Sequence, residues 1–212
     1  TSVTQISRFY KAESSLPIGL NIVSTVQTES VIDCAIYCIS LNLICFLFNE
    51  EQGACDVGHI SVSNVTTYST KEIYILCNTY DGFRLYIKGS VIACVWLSSS
   101  VSNYTIARNN CNAMSTHLYT IKTLEKMQIL QENYVSNGKI WIGLNDILEE
   151  GVYRWEDDDS ICDDSCKAMI YAQNEPNNYG NSEDCNVFNA NTSRVNDFPC
   201  NDIGFYLCEK AF

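Results

Sequence analysis

Histidine is scarce in this 212-residue chain: there are two, His59 and His117. Neither has a Cys–His or Ser–His–Asp pattern around it, so zinc ligation and nucleophilic catalysis find no constellation to rest on, and an enzyme is not expected. Positive charge is short too, with 13 Lys and Arg against 25 Asp and Glu and a formal net charge of −12. That balance argues against nucleic acid, heparin and anionic bilayers as partners. It suits a surface that gathers cations, or one that simply stays soluble. No apolar run approaches the roughly 20 residues of a membrane span, so membrane insertion is not expected. The residues after Thr1 hold neither a basic n-region nor an apolar h-region, as expected of a secreted protein whose leader has been removed.

What the chain does have is cysteine. There are twelve, an even number that predicts a disulfide framework in an oxidising, extracellular compartment. Three sequons, at Asn64, Asn103 and Asn191, are glycosylation candidates that point to the same compartment. The length fits one large or two modest domains.

Oxygen ligands concentrate between residues 175 and 197, in Glu175-Pro176-Asn177-Asn178, Glu183-Asp184-Cys185 and Val195-Asn196-Asp197. Carboxylate and amide alternate through Glu175, Asn177, Asn196 and Asp197, with Glu183 as a third carboxylate. Such a set suits Ca²⁺, which takes six to eight oxygens at roughly 2.3–2.6 Å and tolerates irregular geometry. Carboxylates only accept hydrogen bonds, whereas amides also donate. Two neighbouring sugar hydroxyls could therefore ligate the ion while donating to the acids and accepting from the amides.

These three segments resemble the carbohydrate-recognition site of a C-type lectin domain in its mannose-type (EPN) form. Family members with QPD at that place favour galactose. Glu175 and Asn177 thus imply vicinal equatorial hydroxyls, as in mannose, fucose, glucose or N-acetylglucosamine. The resemblance implies a principal Ca²⁺ held by Glu175, Asn177, Glu183, Asn196 and Asp197, and sugar contacts from Glu175, Asn177, Glu183 and Asn196. It also implies a cis peptide before Pro176, cis bonds being essentially a proline property. Val195 departs from the family's usual Trp, which removes packing volume but no ligand. Asp146 and Glu150, with Asn178, Glu183 and Asp184, resemble the accessory Ca²⁺ site of mannose-binding members. Asn178 is an acid in those relatives, so accessory affinity should be lower here.

The resemblance covers residues 77–212. Tyr104–Met114 reads as a first helix, and Thr123 caps a second with Glu125 in its first turn. Trp141-Ile142-Gly143-Leu144 forms the central strand, its alternate large residues packing between the helices and the long loop region. Residues 145–184 form that long loop, and Tyr206–Glu209 the closing strand. Implied bridges are Cys77–Cys94 in an amino-terminal hairpin, Cys111–Cys208 and Cys185–Cys200. Cys162 and Cys166 remain and would close a small ring beside the site.

Residues 1–76 form a first domain. Thr28-Glu29-Ser30 opens a helix with Val31, Ile32, Ala35, Ile36 and Ile39 on its apolar face. Strands follow at Leu43–Phe48, Ala54–Ile60 and Ile73–Cys77. The cysteine spacing resembles a PAN/apple module, which implies Cys34–Cys55 and Cys38–Cys45, although sequence alone cannot fix connectivity among four cysteines. The cysteine pair joining the termini of a full apple domain is missing. Such modules bind proteins or carbohydrates, so a partner for this domain stays unnamed.

The expected fold is α+β: a PAN/apple-like module followed by a long-form C-type lectin domain. The expected function is calcium-dependent glycan binding, with several copies, such as a homo-oligomer, supplying avidity; defence or adhesion follows by analogy. The alternative is a protein-recognition or adhesion module in which Ca²⁺ merely orders the loop. Tyr179 either packs its ring on a sugar's C–H face or is a solvent-exposed loop residue. Phe198 either touches the ligand or packs inward. The acids of 156–159, with Asp163 and Asp164, form a hydrated loop or hold a further cation.

Overall fold

The computed structural model describes residues 9–11, 19–41, 43, 45–61, 72–77, 82–89 and 91–210. By its contacts the chain divides into two compact units, Thr1–Cys94 with Phe212, and Val95–Ala211.

The first unit is built on an antiparallel sheet. Its strands are β1 (Phe9–Lys11), β2 (Gly19–Gln27), β3 (Cys45–Asn49), β4 (Ala54–Ser61) and β5 (Glu72–Leu76), in the order β1-β5-β3-β4-β2. Helix α1 (Val31–Ser40) begins where Ser30 Oγ accepts the Asp33 N–H at 3.2 Å, a side-chain cap for an otherwise orphaned donor. It buries Cys34, Ala35 and Cys38 with Leu43, Phe46, Phe48, Cys55 and Val57, and Val31 packs at the margin. The face differs from the one expected. Ile32 and Ile36 are 42 % and 40 % exposed, because the cysteines turn the stripe through Val31, Cys34, Ala35 and Cys38 onto the sheet. Cys34–Cys55 is bonded and ties α1 to β4. The side chains of Ile39 and Cys45, and with the latter the Cys38–Cys45 pairing, lie outside the described residues. Strands β1 and β2 are additions to the sequence reading.

The second sheet runs β12-β11-β9-β13-β7-β6, with β10 on β9 and β8 on β13. Its members are β6 (Arg84–Lys88), β7 (Val91–Leu97), β8 (His117–Leu118), β9 (Lys139–Asn145), β10 (Arg154–Trp155), β11 (Cys185–Asn189), β12 (Arg194–Phe198) and β13 (Phe205–Lys210). The contact division falls inside β7, whereas the sequence reading placed the domain boundary before Cys77. Cys77–Cys94 is bonded.

In the second unit, helix α2 (Tyr104–Ala113) is capped by Asn103, whose Oδ1 accepts the Ile106 N–H at 2.9 Å. Helix α3 (Leu124–Asn133) is capped by Thr123 as expected, its Oγ1 accepting the Lys126 N–H at 3.3 Å. All five residues from Ile140 to Leu144 are buried, so the central strand is covered on both faces rather than alternating. Trp141 lies edge-on to Tyr104 at 5.5 Å between centroids and donates its indole N–H to Ser102 O at 2.9 Å. Around it pack Ala107, Leu118, Val187 and Tyr206, and Cys111–Cys208 crosses this core. Among the described residues no helix is long and apolar enough to cross a membrane.

Candidate functional site

The long loop is ordered by small elements of its own. Helix α4 (Asp164–Ile170) starts at Asp163, whose Oδ1 accepts the Cys166 N–H at 2.9 Å, and the Cys162–Cys166 ring closes over this cap. Lys167 sits 4.9 Å from the centre of the Tyr153 ring and donates to Gly151 O at 3.2 Å, pinning α4 to the turn after Asp146. Past α4, Ala172 N–H donates to Val195 O at 2.9 Å, so the chain enters the EPN segment against β12. The Glu175–Pro176 bond is cis. Asn174 and Asn178 take positive φ, which asparagine tolerates better than most residues.

Asp197, fully buried, organises the centre. Its Oδ1 accepts the Asn177 N–H at 3.2 Å and its Oδ2 the Asn178 N–H at 2.7 Å. Glu183 Oε2 accepts the Tyr179 N–H at 2.8 Å, while Glu183 N–H donates to Asn178 Oδ1 at 3.0 Å. The residues from 177 to 183 are thus held by the acids of the predicted ligand set. Cys185–Cys200 is bonded, and Asn196 and Asp197 on β12 lie between its cysteines in sequence.

Buried side-chain oxygens without a hydrogen-bond partner include Glu175 Oε2, Asn196 Oδ1 and Asp146 Oδ1. Each is an acceptor, and a buried acceptor without a donor costs about 1–3 kcal/mol. Burial pushes the Glu175 carboxyl up to about 7, and the charges of Asp197 and Glu183 push the same way. Burial likewise raises Glu183, against the lowering influence of the Tyr179 N–H. Carboxyls that resist ionising beside one another, with unsatisfied oxygens among them, are in the state a bound cation would relieve. Among the described residues no group of three or more His, Cys, Asp or Glu side chains is placed to hold a metal. A hard-ion centre here must therefore count amide oxygens such as Asn196 Oδ1.

The accessory residues gather around Asp146. Its N–H donates to Asp184 O at 3.1 Å and its Oδ2 accepts the Gly151 N–H at 2.8 Å, leaving Oδ1 unpaired. Burial raises the Asp146 carboxyl, opposed by the Gly151 N–H and reinforced by Glu150 and Asp184.

The other candidates separate clearly. Tyr179 is 80 % exposed on a single 3₁₀ turn, Tyr179–Asn181. Phe198 is half-buried and packs against the core cluster around Trp141, in line with the inward-packing reading, with Lys139 Nζ 3.8 Å from its ring centre. Lys122 pairs with Asp157 and Asp158, each at 2.7 Å, and Asp163 is spent as a cap. His117 Nδ1 lies 2.9 Å from Leu118 O; the side chain of His59 and the whole of Asn64 lie outside the described residues. Asn191 is exposed in the turn between β11 and β12.

Sequence reasoning missed three residues beneath the site. Tyr153 and Tyr171 meet edge to face at 5.7 Å, and Tyr171 donates its hydroxyl to Asn186 Oδ1 at 2.6 Å. Asn186 next to Cys185 carries no motif of its own; its partners are set by strand register.

Residues 100–210 match the family described as Lectin C-type domain. The chain is 34 % identical over 119 residues to the "CD209 antigen" of Homo sapiens, covering 56 % of this chain and 28 % of that protein. It is 32 % identical over 119 residues to "CD209 antigen-like protein 2" of Macaca mulatta, covering 56 % and 44 %. The chain thus spans less than half the length of these curated relatives. Among solved structures, the mouse scavenger receptor C-type lectin carbohydrate-recognition domain superposes with a TM-score of 0.55 at 26 % identity, covering 63 % of this chain and 98 % of that one.

Proposed function

The chain belongs to the C-type lectin domain family, and from that premise we propose that it is a secreted, calcium-dependent lectin for mannose-, fucose- or N-acetylglucosamine-type glycans. Members of this family are carbohydrate-binding proteins and not enzymes, so the glycan is bound and left unaltered.

The observation that carries the reading is the pair of unpartnered buried oxygens, Glu175 Oε2 and Asn196 Oδ1, on two of the five predicted ligands. Glu175, Asn177, Glu183, Asn196 and Asp197 would hold the ion. When bound, Ca²⁺ supplies a Lewis-acid anchor for two adjacent hydroxyls. The carboxylates accept hydrogen bonds from those hydroxyls, and the amides of Asn177 and Asn196 donate to them. Asp197 is prevented from swinging away by the two backbone N–H groups it accepts. Asp146, Glu150, Asn178, Glu183 and Asp184 would hold an accessory ion; Asp146 Oδ1 is the unsatisfied acceptor there. The exposed ring of Tyr179 is available to a sugar's C–H face.

The first unit is read as PAN/apple-like. Supporting this are a helix tied by Cys34–Cys55 to an antiparallel sheet and the cysteine spacing. Its partner, the assembly of several copies for avidity, and a defence or adhesion role belong to the same proposal.

A glycan array probed in calcium and again in chelator tests the reading. Mannose-type glycans should be retained in calcium, lost in chelator and displaced by free mannose. Binding indifferent to both would overturn it and favour recognition of a polypeptide.

A further inference from the structure

The strand pairing beneath the site is irregular at one place. Between β11 and β9 the register passes from Cys185↔Asn145 to Val187↔Trp141. One residue on β11 thus faces three on β9, so Ile142, Gly143 and Leu144 bulge opposite Asn186. A bulge breaks the ladder and strands backbone groups that must find other partners. Here a side chain takes over: Asn186 Nδ2 donates to Leu144 O at 3.2 Å. Its Oδ1 then accepts the Tyr171 hydroxyl at 2.6 Å. Asn186 is fully buried and is the direct register partner, on β11, of Asp197 on β12.

Those contacts reach three segments at once. Leu144 lies two residues before Asp146, the central acid of the accessory set. Tyr171 lies four residues before Glu175, and Asp197 is the anchored acid of the principal set. The Tyr171 ring closes the circuit from the other side by its edge-to-face contact with Tyr153, over which Lys167 reaches the carbonyl of Gly151, whose N–H holds Asp146 Oδ2. Resting on the calcium reading above, we infer that Asn186, through the Leu144 carbonyl and the Tyr171 hydroxyl, is a positioning residue that couples the two ion sites. Neither Asn186 nor Tyr171 belongs to either ligand set. Together they fix the distance between the two acid-bearing loops, so that ordering one loop orders the other.

The geometry also says why the amide is needed. A carboxylate at 186 could accept from Tyr171 but could not donate to Leu144 O, and an aliphatic side chain could do neither. Phenylalanine at 171 keeps the ring against Tyr153 and removes only the hydroxyl.

The test is a double-mutant cycle in the full chain, with calcium alone as the probe and its affinity and stoichiometry read by calorimetry. Asp146→Asn, which disables the accessory site, should weaken calcium at the principal site by about five- to ten-fold, the lower end of ordinary coupling. In a Tyr171→Phe background the same substitution should cost less than about two-fold, because the link is already cut. Asn186→Ala should abolish the coupling as well, and Tyr171→Phe serves if that variant does not fold. Thermal unfolding in chelator separates a merely structural role, which would lower stability yet leave Asp146→Asn costing the same in both backgrounds. Additive effects of Asp146→Asn and Tyr171→Phe would overturn the inference and leave the calcium reading standing. A parent chain that takes up no calcium would overturn the calcium reading, and this inference with it.

Discussion

Protons and calcium should compete for the same carboxylate, and the competition can be worked through. In the metal-free fold Glu175 is pushed up to about 7 from an ordinary 4.5, by burial first and then by Asp197 and Glu183. Calcium needs the ionised form, so affinity is divided by a factor of one plus ten raised to the difference between 7 and the pH. From this group alone, affinity should fall about 10-fold between pH 8 and pH 6, and about 90-fold by pH 5. Glu183, raised for similar reasons, steepens the loss. Stability without metal runs the other way. Folded Glu175 holds its proton more tightly than the unfolded chain does. In chelator its contribution to stability is present below about pH 4.5 and lost as pH rises through about 7. Calcium titrations by calorimetry at pH 8, 7, 6 and 5, paired with thermal melts in chelator, read both slopes. Glu175→Gln should bind calcium more weakly at pH 8 and flatten the dependence. An affinity unchanged between pH 8 and pH 5, or the same slope in Glu175→Gln, would refute the reasoning.

Three further outcomes follow from single contacts. Exchanging Glu175→Gln together with Asn177→Asp should move preference from mannose towards galactose on a glycan array, and an unaltered profile would count against the alternating acid–amide pairs. Gly143→Ala would place a Cβ 2.6 Å from Leu118 O, a clash with backbone that must shift a central strand; a loss of about 1–3 kcal/mol is expected by urea denaturation. Thr123→Ala should cost about 1 kcal/mol in the same assay, because the Lys126 N–H loses its acceptor.

Local chemistry made much of the second unit readable. Thr123 announced a helix start because its hydroxyl competes well for a free backbone N–H, and the cis bond expected before Pro176 is present. The disulfides Cys111–Cys208 and Cys185–Cys200 formed as the family resemblance implied. What escaped was set by register. Asn186 acquires its role only because β9 bulges opposite it, and no pattern in Cys185-Asn186-Val187 forecasts that bulge. In the first unit, Ile32 and Ile36 looked like core by periodicity, yet Cys34 and Cys38 decide which side of α1 faces the sheet. Strand β2 escaped for a related reason: Ile22 and Val23, adjacent in sequence, are both exposed beside a register shift, which spoils the alternation that marks a strand.

Cys111–Cys208 joins α2 to the last strand across a sequence separation of 97. The whole long loop lies between its two ends. A protease that nicks that loop, at the exposed Leu148 for instance, would leave both fragments covalently joined. The damage would pass unseen on a gel run without reductant and appear as two pieces once thiol is added. A domain of this build can therefore be cut within that loop and still travel as one molecule.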